Sequence, residues 1–131
     1  MRYMLDTNIC VFMLKQESGV LRRFQAAASD GICISAITLA ELEYGVAKSA
    51  RKEHNTGTLA AFLALVEVLP FDIPAASQYG QIRATLAREG NVIGSLDMLI
   101  AAHAKSANLT LVTNNTREFK RVDGLRLEDW R

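Results

Sequence analysis

Four distant segments of the sequence carry acidic residues at positions where an alternating helix and strand fold brings side chains together. Asp6 follows the apolar run of residues 2–5, at the point where the first predicted strand ends. Glu41 lies in the first turns of one predicted helix, and Asp97 lies in the first turn of another. The segment after Thr113 leaves a later predicted strand in the same direction as the first. These acids are therefore expected near one edge of a sheet.

A cluster of carboxylates favours the binding of a hard divalent cation. Like charges repel one another, so the cluster needs cations, and oxygen ligands suit Mg²⁺ or Mn²⁺ better than zinc. Such an ion can activate water, neutralise a phosphate and stabilise the leaving oxygen of an in-line displacement. The acids accordingly predict hydrolysis of a phosphodiester, without a histidine or a protein nucleophile. Their spacing alone does not make this chemistry unique.

Asp6 and Asp97 also have ordinary structural interpretations. Asp6, Thr7 and Asn8 are residue types that commonly cap a helix. Asp97 is equally suited to the positive end of its helix dipole. Thr7 and Asn8 either orient Asp6 or hold the turn.

The helix that contains Glu41 does not by itself identify a site residue. Glu41 and Lys48 share one side of this helix, as they would on a solvated face. Glu43 points roughly opposite and is interpreted as structural. In a later helix, His103 lies about two turns in and away from the face of Asp97, so we expect it to pack within the fold.

Strands and helices alternate along the predicted chain, which is typical of a mainly parallel central sheet flanked by helices. Residues 52–57 are predicted to be a polar connection. The predicted strands are residues 2–5, 31–35, 66–69, 109–113 and 125–127. The predicted helices are residues 9–14, 20–28, 38–48, 58–66, 75–88 and 97–107.

Size and composition indicate one globular domain over residues 1–131. The hydrophobic content of 50% can supply a continuous core, and no linker-like stretch divides the chain. Cys10 and Cys33 are far apart and are interpreted as reduced core residues. No apolar run reaches the roughly 20 residues needed to cross a bilayer, so we expect a cytoplasmic protein without membrane contact.

Local charge, not overall charge, must account for any affinity for nucleic acid. The net charge is only +1, from 15 basic and 14 acidic residues. Arg117, Lys120 and Arg121 form the best basic cluster for contacts with a phosphate backbone, because they adjoin the proposed chemistry. Taken singly, each is more safely explained as a solubilising surface residue.

Four segments, in order and spacing, resemble the successive motifs of PIN-domain ribonucleases, and the similarity is greatest to the VapC toxins. The resemblance extends over nearly the whole chain. Ser95 departs from it, because family members usually have proline there. The four segments are Met4–Asn8 (MLDTN), Ile37–Leu42 (ITLAEL), Ile93–Ala104 (IGSLDMLIAAHA) and Leu111–Phe119 (LVTNNTREF).

The resemblance implies a PIN-like α/β fold and a Mg²⁺ site, with Mn²⁺ able to substitute. By that resemblance Asp6, Glu41 and Asp97 are metal-binding acids. Many family members carry aspartate in the turn where this sequence has Asn115, while an acid stands nearby at Glu118. Either Asn115 or Glu118 is expected to assist the three acids, and losing a charge should weaken cation binding.

The same resemblance implies an endoribonuclease toxin of a toxin–antitoxin system. Its expected substrate is RNA, with transfer RNA cut in the anticodon loop as the favoured target. Its expected partners are a second copy of itself, in a homodimer, and a cognate VapB-like antitoxin. The complex would bind its own operator DNA through the antitoxin.

Two other classes of protein remain compatible with an aspartate after a strand. One is a phosphoryl-transfer enzyme with Asp6 as nucleophile. Such phosphatases generally carry a second aspartate two residues later, where this sequence has Asn8. The other class is a non-catalytic, metal-binding receiver or interaction module on a similar sheet.

Overall fold

A five-stranded, fully parallel sheet forms the centre of the computed structural model, which describes residues 1–131. The strands lie in the order β3-β2-β1-β4-β5. All of them are short, which suits buried strands in a small α/β fold. Their bounds are β1 Tyr3–Leu5, β2 Ile32–Ser35, β3 Glu67–Leu69, β4 Thr110–Val112 and β5 Leu127–Glu128.

Helices connect the strands, because parallel neighbours can be joined only by crossovers. None of the helices has the length and apolar content needed to span a membrane. A short 3-10 helix at Ala28–Asp30 precedes β2. The α-helices are α1 Thr7–Leu14, α2 Ser18–Ala27, α3 Ala36–Ala47, α4 Lys52–Leu63, α5 Ile73–Arg88, α6 Ser95–Ser106 and α7 Thr116–Phe119.

The strand order reverses at β1, the central strand. The chain moves outward from β1 to β2 and β3, then returns to place β4 on the other side of β1. The carboxyl ends of β1 and β4 therefore flank the point where successive connections leave in opposite directions. Parallel sheets open a crevice for ligands at this position. Asp6 and Thr113 follow these two strands.

Two hydrophobic cores cover the two faces of the sheet, as alternating strand side chains require. Tyr3 and Leu5 belong to the first core, together with residues of α1, α2 and α4. Met4 belongs to the second core, together with residues of α5 and α6. Cys10 and Cys33 are buried and unpaired, one in each core, which confirms the prediction of reduced core cysteines.

The prediction of a polar connection at residues 52–57 was wrong. This stretch forms the first turns of α4, which begins at Lys52. The buried contacts of α4 come from Leu59 and Phe62, so its first turns project into solvent, where polar side chains are suitable. The one-turn helix α7 was not predicted, because four residues are too few to show a helical period.

The C-terminal segment is fastened to β1 by Trp130, which is only 2% exposed. Its ring lies edge-on to that of Tyr3, with centroids 5.2 Å apart. The indole N–H donates a hydrogen bond to Glu128 Oε1 at 3.0 Å. A buried aromatic ring whose polar group is satisfied in this way contributes strongly to a small core.

Replacing Trp130 with alanine should therefore destabilise the protein by about 3–5 kcal/mol, the usual effect of emptying a buried aromatic site. Trp130→Phe should cost less, because it keeps a ring against Tyr3 and loses the N–H donor and only part of the buried ring volume. Urea unfolding of the three proteins measures this. A loss below about 1 kcal/mol for Trp130→Ala would show that the tail does not support the core.

Candidate active site

Asp6 is the buried acid at the end of the central strand. Its backbone N–H continues the pairing with β4 by donating to the Val112 carbonyl at 2.9 Å. Its Oδ1 accepts the N–H of Ile9 at 2.9 Å and so caps α1. The residue is only 4% exposed. The helix-capping interpretation of Asp6 is therefore correct for one carboxylate oxygen, while the second oxygen faces β4.

Thr113 binds that second oxygen and was not identified from the sequence. Its hydroxyl donates to Asp6 Oδ2 at 2.5 Å and accepts the backbone N–H of Asn115 at 2.9 Å. Thr113 is fully buried directly after β4. Its position at the carboxyl end of a predicted strand, within the fourth motif, was the available signal. Its partner lies 107 residues away, so spacing could not reveal the contact.

Glu41 is held toward the start of α1 by Thr7. The Thr7 hydroxyl donates to Glu41 Oε1 at 2.6 Å, and both residues are half-buried. Thr7 therefore orients Glu41, a role that the sequence did not suggest, since it left Thr7 either to orient Asp6 or to hold the turn. Asn8 is exposed, and so is Glu43 two residues after Glu41.

Glu118 and Asn115 form a pair on the loop and short helix after β4. The Asn115 side-chain amide donates to Glu118 Oε2 at 2.8 Å. Asp97 is half-buried in the first turn of α6, and its carboxylate feels the charges of Glu118 and Glu41. Glu118 thus supplies negative charge near Asp97, and Asn115 holds Glu118 in place.

The four acids crowd one another electrostatically. Burial, followed by the charges of Asp97 and Glu41, raises the pKa of Asp6 to about 6, although the hydrogen bonds from Thr113 and Ile9 oppose the shift. Burial and the charges of Glu118 and Glu41 also raise the pKa of Asp97. The carboxylates of four sequence segments therefore do gather at one edge of the sheet.

No protein cation neutralises this cluster. The ion pairs of the structure join Arg2 to Asp30, Arg23 to Glu128 and Arg131 to Glu17, so none involves a site acid. The donors that hold the acids are neutral hydroxyl, amide and backbone groups. Next to Thr113 in the sequence, the side-chain oxygen of Asn114 is buried and accepts no hydrogen bond. The site has a surplus of oxygen acceptors.

The acids do not form a closed metal cage. No three acidic, histidine or cysteine side chains converge closely enough to hold one ion between them. Magnesium commonly takes only one or two protein carboxylates and keeps several waters, so the oxygen donor set still suits it. The residues present therefore fit a hydrated divalent cation better than a dehydrated ion held only by protein ligands.

The three predicted basic residues differ in their surroundings. Arg117 and Lys120 are exposed on α7 and directly after it, close in sequence to Glu118. Arg121 is half-buried and donates to the backbone carbonyl of Val92 at 3.3 Å. Arg117 and Lys120 are thus free for solution contacts, whereas Arg121 is partly engaged within the fold.

An open groove adjoins the acids on the Glu41 side. It has a volume of about 730 Å³ and runs between α1, α3 and α4. Thr7 and Glu41 stand in its wall, next to the apolar side chains of Val11 and Leu14. Glu41 is therefore accessible from a broad groove.

His103 is not among the acids. It is 2% exposed, as expected of a packing residue, and its Nδ1 lies 2.8 Å from the hydroxyl oxygen of Ser35. Burial lowers its pKa, so the imidazole is neutral at pH 7. It makes no hydrogen bond to any of the carboxylates.

Comparisons with known proteins agree with the fold and with the motifs. The family model described as PIN domain matches residues 3–125. The chain is 48% identical over 130 residues to the tRNA(fMet)-specific endonuclease VapC of Shigella flexneri, covering 99% of this chain and 98% of that protein.

Two similar solved structures are toxin–antitoxin complexes on DNA. The crystal structure of VapBC2 from Rickettsia felis bound to a DNA fragment from their promoter matches with a TM-score of 0.96 and 45% identity, covering 100% of both chains. DNA-bound VapBC from Salmonella typhimurium matches with a TM-score of 0.95 and 47% identity, covering 100% of this chain and 99% of that one.

The buried charge of Asp6 predicts a gain in stability on its removal. Because the pKa of Asp6 is higher in the folded than in the unfolded protein, the folded state binds more protons between about pH 4 and 6, and stability falls as pH rises through that range. Above this range the ionised carboxylate reduces stability by up to about 3 kcal/mol. Asp6→Asn in EDTA should therefore raise the unfolding free energy by about 1–3 kcal/mol at pH 7.5, and less at pH 4.

Asp72→Asn is the matched control. Asp72 caps α5 in the same way, by accepting the N–H of Ala75 at 3.1 Å, but it is exposed. Aspartate and asparagine are equivalent caps, so this variant should change stability by less than about 0.5 kcal/mol. Equal effects of the two substitutions at pH 7.5 would contradict the electrostatic origin of the gain.

Proposed function

Because this chain belongs to the PIN-domain family, as a VapC-type ribonuclease, we propose that it cuts transfer RNA with a hydrated divalent cation, which Asp6, Glu41 and Asp97 bind partly through the waters of the ion. The observation that carries the proposal is the acidic edge without a protein cation. Four carboxylates gather there, and all of their identified donors are neutral. Such a cluster attracts a cation from solution.

We assign Mg²⁺ to this site, with Mn²⁺ as a substitute. Both are hard cations that prefer carboxylate oxygens. When bound, such an ion supplies an activated water and neutralises the charge that develops on the phosphate. The family assignment supports divalent-metal dependence, and the oxygen donor set supports Mg²⁺ over zinc.

The acids and their hydrogen-bond donors have different roles in the proposed site. Asp6, fixed to the sheet, anchors the site, while Glu41 and Asp97 approach it from α3 and α6. Glu118 adds the fourth negative charge, and Asn115 orients it. Thr7 orients Glu41 and Thr113 orients Asp6 by donating hydrogen bonds. The remaining lone pairs of the carboxylate oxygens are left for the cation.

The substrate and partners follow from the relatives. A relative that is 48% identical over nearly the full chain is named for its specificity toward tRNA(fMet), and we propose this transfer RNA, cut in the anticodon loop, as the substrate. The similar structures contain VapB antitoxins and DNA. We propose a cognate VapB-like antitoxin that neutralises this chain, operator DNA bound through that antitoxin, and a homodimer of the toxin.

Asp97→Asn should reduce the rate of RNA cleavage by at least about 100-fold, because it removes a charge needed for the cation with little change in shape. The measurement is cleavage of purified transfer RNAs by the antitoxin-free protein with Mg²⁺, and with EDTA in place of the metal. Sequencing the new RNA ends identifies the substrate and the cut.

Glu43→Gln is the control for loss of one acidic charge, because Glu43 is exposed and lies on the same helix as Glu41. It should cleave at the wild-type rate. Equal cleavage by wild type, by Asp97→Asn and in EDTA would overturn the metal mechanism. An acyl-phosphate trapped at Asp6 would instead identify a phosphoryl-transfer enzyme.

The basic residues of α7 yield a separate expectation. Replacing Arg117 and Lys120 together with serine should raise KM for RNA and reduce the salt dependence of binding, with little change in kcat, because backbone contacts act through counterion release. Arg22→Ser, an exposed charge on α2, is the control. If the control raises KM as much as the double variant, net charge and not this surface binds RNA.

A further inference from the structure

Two pairs of residues connect the helices that carry Glu41 and Asp97. Ser35, the N-cap of α3, stands six residues before Glu41, and His103 stands six residues after Asp97. Ser35 and His103 are hydrogen-bonded, and the charge of Glu41 raises the pKa of Asp97. The helices α3 and α6 pack against each other, and the Ser35–His103 hydrogen bond joins the start of α3 to the later part of α6.

Of these two pairs of residues, the Ser35–His103 pair is the buried one. Ser35 is fully buried, and His103 is 2% exposed. The two residues are 68 positions apart, and the distance from Ser35 Oγ to His103 Nδ1 is 2.8 Å. Either tautomer of a neutral imidazole can make this bond, because a hydroxyl both donates and accepts. A buried hydrogen bond of this kind is costly to leave unmade.

Each partner of the pair is itself held in place. The Ser35 oxygen also accepts the N–H of Ile37 at 3.1 Å, which caps α3. The His103 ring lies edge-on to Phe71, with centroids 5.4 Å apart, in the connection between β3 and α5. The hydrogen bond therefore joins a fixed helix start to a fixed ring, and it sets the position of α3 along α6.

We propose that His103 is a positioning residue, which acts through Ser35 to hold α3 and α6 in the register that brings Glu41 and Asp97 to the same site. This inference rests on the proposed function. The acids lie about 9 Å along each helix from the hydrogen bond, a distance that follows from six residues at the helical rise. Because a helix is rigid, a shift of one end along its axis moves the other end by a similar amount.

An apolar side chain of similar size would fill the space of His103 but would not fix the register. Apolar packing is non-directional, whereas the Ser35 hydroxyl is satisfied at one position only. The exact position of the two helices matters for cation binding, because Mg²⁺ accepts oxygen ligands only within a narrow range of distances. A buried polar pair is thus suited to two helices that share a metal site.

The test compares His103→Phe, which keeps a ring without a hydrogen-bonding atom, with His103→Asn, whose amide oxygen takes the place of Nδ1. Mn²⁺ affinity is measured by electron paramagnetic resonance, and kcat and KM are measured on transfer RNA. His103→Phe should weaken Mn²⁺ binding and lower kcat by about 10-fold or more, with KM nearly unchanged. His103→Asn should recover most of both losses.

Ser35→Ala should show at least the losses of His103→Phe, because it removes the same hydrogen bond and also the side-chain cap of α3. The double variant should be no worse than Ser35→Ala, because the hydrogen bond can be lost only once. Ile100→Val is the matched control. It removes a buried methyl group from α6 without touching Ser35, so it lowers stability while leaving Mn²⁺ affinity and kcat unchanged.

Hydrogen exchange in the metal-free protein separates this inference from the proposed function. His103→Phe should speed exchange of the amides of residues 38–42 in α3, and Ile100→Val should not. If His103→Phe exchanges faster while the wild-type protein neither binds Mn²⁺ nor cleaves RNA, the proposed function is overturned and the coupling of the two helices is kept. Normal Mn²⁺ affinity, kcat and exchange in His103→Phe, or equal losses in Ile100→Val, would overturn the positioning role.

Discussion

The buried carboxylate of Asp6 is the constraint around which the site is built. One residue ends β1, extends its pairing with β4 and caps α1. Its side chain also receives the hydroxyl of Thr113 at the point where the strand order reverses. These contacts fix the carboxylate on the sheet, but they do not compensate its burial, since its pKa is raised to about 6. The fold thus keeps an unfavourable charge where a ligand can use it.

Neutral donors explain how the acids can be ordered without being neutralised. Thr7 and Asn115 orient Glu41 and Glu118, as Thr113 orients Asp6. An arginine in any of these places would form an ion pair and lower the attraction for a cation. The three ion pairs of the chain lie elsewhere. Of the basic residues closest in sequence to Glu118, Arg117 and Lys120 are exposed, and Arg121 donates to the backbone of Val92.

The sequence predicted the sheet, its direction and the end of β1 because these depend on local patterns. A short apolar run followed by Asp6, Thr7 and Asn8 indicates a strand and then a capped helix. The choice of Glu41 over Glu43 came from the family resemblance, because the helical period alone left both open. The contacts of Thr113 and of His103 could not be predicted, since their partners lie 107 and 68 residues away.

The open arrangement of the acids follows from the same electrostatics. Two like charges about 4 Å apart repel by roughly 4 kcal/mol at the effective dielectric of a protein surface, which exceeds the worth of a typical hydrogen bond. The supports of the carboxylates hold them at one edge of the sheet against this repulsion, without three of them closing around one point. Asp6 is attached to the sheet by its backbone, whereas Glu41, Asp97 and Glu118 reach the site from helices. The packing of α3 against α6 consequently influences how near Glu41 and Asp97 come to Asp6.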